Sequence, residues 1–188
     1  MEHAISGTRE KMLLSYFQSN GLLLCNESKD LPFLDSVGGD WNSIVALIEK
    51  GLVYYSRLYK GRVTYLSAAF YAQVKQYRQR LDKVSPTARA IFEFLSEIGK
   101  ANTFEIKSIL MLSEKAFSAC MNELFKELLV TAIERDRTMN VNWSSFYWGT
   151  FGTWELLHPI IDVDVSTDVL RKLTLNIMTE KQLIGLLK

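Results

Sequence analysis

Along this chain, stretches with apolar residues at helical spacing give way to short aromatic and β-branched stretches, and the two patterns come in the same order twice. A first helix is predicted from Thr8, whose hydroxyl can cap it, through Met12, Leu13, Leu14, Tyr16 and Phe17 to a stop at Asn20-Gly21. Leu22 to Cys25 reads as a short buried segment. After a polar stretch with Asp30, Pro32 and Gly38-Gly39, Asp40 caps a second helix that carries Trp41, Ile44, Val45, Leu47 and Ile48 and ends at Gly51. Leu52 to Tyr59 and Arg62 to Leu66 then form a hairpin, with Lys60-Gly61 as its turn.

From Ser67 to about Lys83 the pattern predicts one long helix, with Phe70, Tyr71, Val74, Tyr77 and Leu81 on its apolar side and Lys75, Arg78, Arg80 and Lys83 on its polar side. Ser85-Pro86 starts the next helix, whose apolar face of Ile91, Phe92, Phe94, Leu95 and Ile98 reaches Gly99. Asn102 or Thr103 caps a short helix through Leu110, and Ser113 opens another with Ala116, Phe117, Cys120, Met121, Leu124, Phe125 and Leu128 inward. The connection Met111-Leu112-Ser113 is as tight as a helix-turn-helix requires. A second hairpin is expected from Val130–Glu134 and Asn140–Trp143, with Arg135-Asp136-Arg137 at its tip. The aromatic stretch Trp143 to Trp154 follows, read as core closure ahead of a base-stacking platform. Ser166 to Met178 and Thr179 to Leu187 are two more helices, expected to cover the second unit or to meet a second copy or a protein partner.

A shift of about 77 residues lays Leu52-Val53 on Leu129-Val130, and Ile44, Leu47 and Ile48 on Met121, Leu124 and Phe125. The fold expected is therefore mainly α with small β hairpins, an α+β arrangement of tandem winged-helix units at residues 1–83 and 84–188.

Charge changes this picture by its distribution. The formal net charge is +1, but residues 54–100 hold nine Lys and Arg against three Asp and Glu, while the flanking segments are acidic. Arg57, Lys60, Arg62, Lys75, Arg78, Arg80 and Lys83 face one acid, Asp82, and suit a phosphate backbone. The bland alternative is a solvated face, or pairing with Glu27, Asp30, Asp35 and Asp40 of the first segment. Base contact is harder to provide: Asn42 and Ser43 stand on the second helix with no cation before Lys50, and Lys115, Ser118 and Asn122 stand beside Glu114 and Glu123.

Candidate chemistry is sparse. No phosphate-loop, nucleophile-elbow, zinc-protease or dinucleotide motif is present. Cys25 and Cys120 are isolated and read as core thiols, and with His3 and His158 they assemble no zinc-site spacing. His158, before a proline, reads as structural. Asp162 and Asp164 alternate with Ile161, Val163 and Val165 and read as a solvated strand face, too few oxygens for a hard cation. No metal or cofactor is expected. The N-terminus carries Glu2, Arg9, Glu10 and Lys11 and no long apolar run, so neither a signal nor a membrane span is expected, and a cytoplasmic location is.

Lys60-Gly61-Arg62-Val63-Thr64-Tyr65-Leu66-Ser67, before Phe70-Tyr71, resembles a segment of short bacterial winged-helix proteins related to the AlkZ-like DNA glycosylases. Ser85 through Trp143 to Trp154 is similar to their second unit. The resemblance implies tandem winged helices and a DNA-associated ancestry. It does not carry catalysis over, because the glycosylases use a Gln-x-Gln motif, whereas Gln73, Gln76 and Gln79 are three apart and Gln18 and Gln182 stand alone.

The expectation is a non-enzymatic DNA-binding protein, a candidate transcriptional regulator. Arg57, Lys60, Arg62, Lys75, Arg78, Arg135 and Arg137 would meet duplex phosphates, and Lys115, Ser118 and Asn122 would meet bases. The alternatives are a protein-interaction or dimerisation module and, further off, a repair glycosylase.

Overall fold

The computed structural model describes residues 2–140, 143–160 and 164–188. The first half runs α1 (Glu2–Ser19), β1 (Leu22–Leu24), a 3-10 turn at Leu34–Val37, α2 (Trp41–Glu49), β2 (Val53–Ser56) and β3 (Thr64–Ser67). α1 begins six residues before Thr8, so the cap expected there is interior. The segment from Leu22 is a strand: antiparallel to β3, it makes a three-stranded sheet of order β1-β3-β2. Asp40 and Ser43 cap α2 reciprocally, the Asp40 carboxylate accepting from Ser43 N at 2.8 Å and the Ser43 hydroxyl from Asp40 N at 2.9 Å. Lys60 and Gly61, both at positive φ, turn the hairpin as expected.

The second half repeats that order: α4 (Pro86–Ile98), β4 (Lys100–Asn102), α5 (Thr103–Ile109), α6 (Glu114–Lys126), β5 (Val130–Asn140) and β6 (Trp143–Thr150), then α7 (Phe151–Leu157). Its sheet has the matching order β4-β6-β5. Ser85, Asn102 and Ser113 cap their helices as the sequence implied. The hairpin differs from expectation. β5 continues through Arg135 and Arg137, which pair with Phe146 and Ser145, so the Arg135-Asp136-Arg137 run lies in the strand and not at a tip. Residues 141–142 lie outside the described residues. Of the aromatic stretch, Trp143 to Thr150 is the returning strand and Phe151 to Trp154 begin α7.

Between the halves, the long basic helix expected over 67–83 is absent. α3 (Ala68–Val74) is followed by a 3-10 turn at Lys75–Tyr77, extended backbone at Arg78, a positive φ at Gln79 and a second 3-10 turn at Leu81–Lys83. Glu127, just past α6, ties this segment down. Its carboxylate takes Arg80 Nε at 2.9 Å and Arg78 Nη1 at 3.5 Å, while its carbonyl takes Gln79 N at 2.7 Å. Those bonds are made from the non-helical path of residues 78 to 80.

The two halves face each other reciprocally: α2 packs on β5, and α6 packs on β2. Thr131 joins them, its hydroxyl accepting from Tyr55 N and donating to Tyr55 O, both at 3.0 Å. Ile44, Leu47, Val53 and Tyr55 share one core with Ile91, Leu95, Leu124, Phe125 and Val130, so apolar packing crosses the expected unit boundary. The terminal helices α8 (Thr167–Thr174) and α9 (Glu180–Leu187) join an apolar cluster that includes Leu128, Ile133 and Trp154 of the second half but draws mostly on the first. Leu170, Leu173, Ile177, Leu183 and Leu186 pack with Leu22, Leu66, Tyr54, Tyr71 and Val74, closing an apolar face that the first half leaves open. Buried Gln73 holds the entry to α8, donating to Asp164 O at 2.6 Å and accepting from Ser166 N at 3.0 Å. Ile161, Asp162 and Val163 lie outside the described residues. Among the described residues, no helix is long and apolar enough to cross a membrane.

Candidate functional site

The ten polar residues singled out above fall into two groups. One is committed to internal contacts. Arg78, its side chain 12% exposed, meets Glu127 and donates to Leu186 O at 2.5 Å, and burial pushes its pKa below the usual guanidinium value. Lys75 meets Glu155 at 3.0 Å, and Arg135 lies 3.5 Å from Glu49. Lys60 is exposed but bound to Asp30 at 2.6 Å, which lowers the Asp30 pKa. Arg62 donates to the carbonyls of Asn26 and Glu27. The pairing with the acidic first segment is thus realised at Asp30, whereas Arg78 and Arg80 have Glu127 as their partner.

The other group gathers around the second half. Lys115 and Ser118 are exposed on α6, and Arg137 is 72% exposed on β5 beside Asp136. Ser118, Asn122, Arg137 and Arg57 all border one cleft of about 740 Å³ between α6, the β5–β6 ribbon and the first half. β2 feeds Arg57 into that cleft, where Nη1 donates to Asn122 Oδ1 at 2.5 Å.

The cleft is floored by rings. Tyr55 lies 5.2 Å from Phe125 and 5.6 Å from Trp148, Phe146 lies 5.6 Å from Trp148, and Trp41 lies 6.1 Å from Phe146, centroid to centroid. Both indole N–H groups are engaged, Trp41 donating to Ser144 Oγ at 3.0 Å and Trp148 to Thr103 Oγ1 at 3.1 Å. The rings are therefore held in place. Phe104, Met139 and Trp143 stand exposed at the rim. Burial raises the Tyr55 pKa, and the neighbouring Arg57 charge opposes the rise. Sequence reading missed the cleft as such: its walls come from residues 25 to 148, and no local spacing unites Trp41 and Tyr55 with Phe104 and Trp148.

Elsewhere the polar residues do structural work. His158 packs over Gly51 and 5.8 Å from Trp154, and burial lowers its pKa. Burial raises both thiol pKa values, which keeps Cys25 and Cys120 protonated and poor as nucleophiles. Gln76 donates to Gln73 O and Gln79 to Tyr71 OH. No group of three or more potential metal ligands occurs among the described residues.

A family model described as AlkZ related matches residues 25–182, most of the chain. No curated protein and no solved structure gives a match.

Proposed function

The chain belongs to the AlkZ-related family, and from that premise we propose a non-enzymatic DNA-binding protein, a transcriptional regulator in outline, built of two winged-helix units. The element order and the strand order of both halves support the winged-helix reading. One observation carries the binding reading: α6, entered by a tight turn from α5, leaves Lys115 and Ser118 exposed next to a long ribbon that projects Arg137. Lys115 and Arg137 meet phosphates there, and Ser118 with the amide of Asn122 faces base edges. Lys75 and Arg78 are left out because their charges are spent within the protein.

Fluorescence anisotropy with random duplex DNA at two salt concentrations tests this. Lys115→Glu with Arg137→Glu is expected to weaken binding at least about tenfold and to lower the salt slope by about two, one for each phosphate no longer neutralised. Unchanged affinity removes the second unit from the interface. Abasic product from alkylated duplexes would overturn the non-enzymatic part.

A second reading, association with a protein partner or another copy, is favoured by Leu156 and Leu175, exposed at 81% and 76%. Sedimentation that stays monomeric across concentration removes the self-association form of it.

A further inference from the structure

Every charged side chain around the cleft except Arg57 has an opposite charge beside it. Lys107 pairs with Glu114, and Arg137 with Asp136. Arg57 joins no ion pair among the described residues. Its Nη1 donates to the neutral oxygen of Asn122, the neutral Tyr55 hydroxyl lies beside the guanidinium, and its Nε is buried without an acceptor. A half-buried guanidinium in such surroundings costs free energy that a bound anion would recover.

The surroundings specify the rest of the anion. Tyr55 and Phe146, nearly buried, and half-buried Trp148 line the cleft, and the Trp148 N–H is already satisfied by Thr103, so the wall offers aromatic contact more than hydrogen bonds. The Asn122 oxygen is taken by Arg57, which leaves its NH2 to donate beside the guanidinium. A volume of about 740 Å³ falls within the roughly 300–1,000 Å³ of small-molecule sites.

We propose that this cleft binds a planar aromatic anion, its ring against the wall that Trp148 forms with Tyr55 and Phe146 and its carboxylate or phosphate on Arg57 with the Asn122 amide as second donor. The site shares Asn122 with the proposed duplex contact, but it uses the interior of the cleft and not the exposed charges of Lys115 and Arg137. Two sources share the chemistry, a mononucleotide and an aromatic carboxylic acid.

The test uses the full chain, with intrinsic tryptophan fluorescence, which Trp41 and Trp148 in the wall make sensitive, and titration calorimetry. The probes are deoxyadenosine 5'-monophosphate and indole-3-carboxylate, each beside its uncharged counterpart, deoxyadenosine and indole-3-carboxamide. Saturable binding of at least one anion is expected, about tenfold or more tighter than its counterpart and weakened by a similar factor in Arg57→Gln, with Lys115→Glu unaffected. Which anion binds identifies the source. If Arg57→Gln does not fold, the charged and uncharged pair on the unaltered chain decides alone, backed by Asn122→Ala. The proposal is overturned if neither anion saturates by about 10 mM, if charge makes no difference, or if a folded Arg57→Gln binds equally well.

Discussion

A Cβ at Gly51 would lie 2.0 Å from Cγ of His158, on a backbone with φ +67°. Gly51→Ala therefore meets both a strained conformation and a ring, and it is expected to lower stability by about 2–4 kcal/mol in urea denaturation. The same imidazole gives the protein a pH dependence. Burial holds the His158 pKa below its ordinary value, so the unfolded chain binds the proton more readily than the folded one. The stability this group contributes is complete above the ordinary imidazole value and is lost as pH falls through the lowered one. Melting temperature is expected to fall between about pH 8 and pH 5, and to fall less in His158→Phe. Gln73→Ala strips the partners from Asp164 O and Ser166 N. A cost of about 1–3 kcal/mol is expected, together with faster proteolysis near residue 164.

At the scale of elements, the break after α3 shows what a helical pattern omits. Lys75, Arg78, Arg80 and Lys83 suit the polar side of a helix, yet Arg78 and Arg80 converge on a carboxylate 47 residues beyond Arg80. Glu127→Ala leaves Arg78 nearly buried and unpaired, and a loss of about 2–4 kcal/mol is expected from chemical denaturation. An unchanged midpoint would mean that the chain leaves helical geometry for another reason. The β5–β6 ribbon is the converse case. Polar Arg135, Asp136 and Arg137 look like a turn, but on a ribbon with a solvated edge they are compatible with a strand.

At the scale of the molecule, residues from the far end of the chain complete the first half. Leu22, Leu66 and Tyr71 are covered by Leu170, Leu173 and Leu186, and Gly21 N donates to Leu173 O at 2.7 Å. A chain ending at residue 160 exposes that face and is expected to lose its single cooperative unfolding transition or to aggregate, as calorimetry and sedimentation would show. A truncated chain that melts like the full one would show that α8 and α9 are accessory.

Local chemistry was sufficient for what the sequence determined by itself. The caps at Asp40, Ser85, Asn102 and Ser113 and the turn at Lys60-Gly61 each depend on neighbours within one or two turns of chain, and the 77-residue echo is the same local pattern written twice. Tertiary structure alone decided which cations find an opposite charge, because pairing is a property of distance in space: Arg78 found Glu127, Lys75 found Glu155, and Arg57 found the neutral groups of Asn122 and Tyr55. The cleft arises in the same way. Its walls are assembled from positions as far apart as Cys25 and Trp148, and burial and charge balance exist only once the two halves have closed on each other.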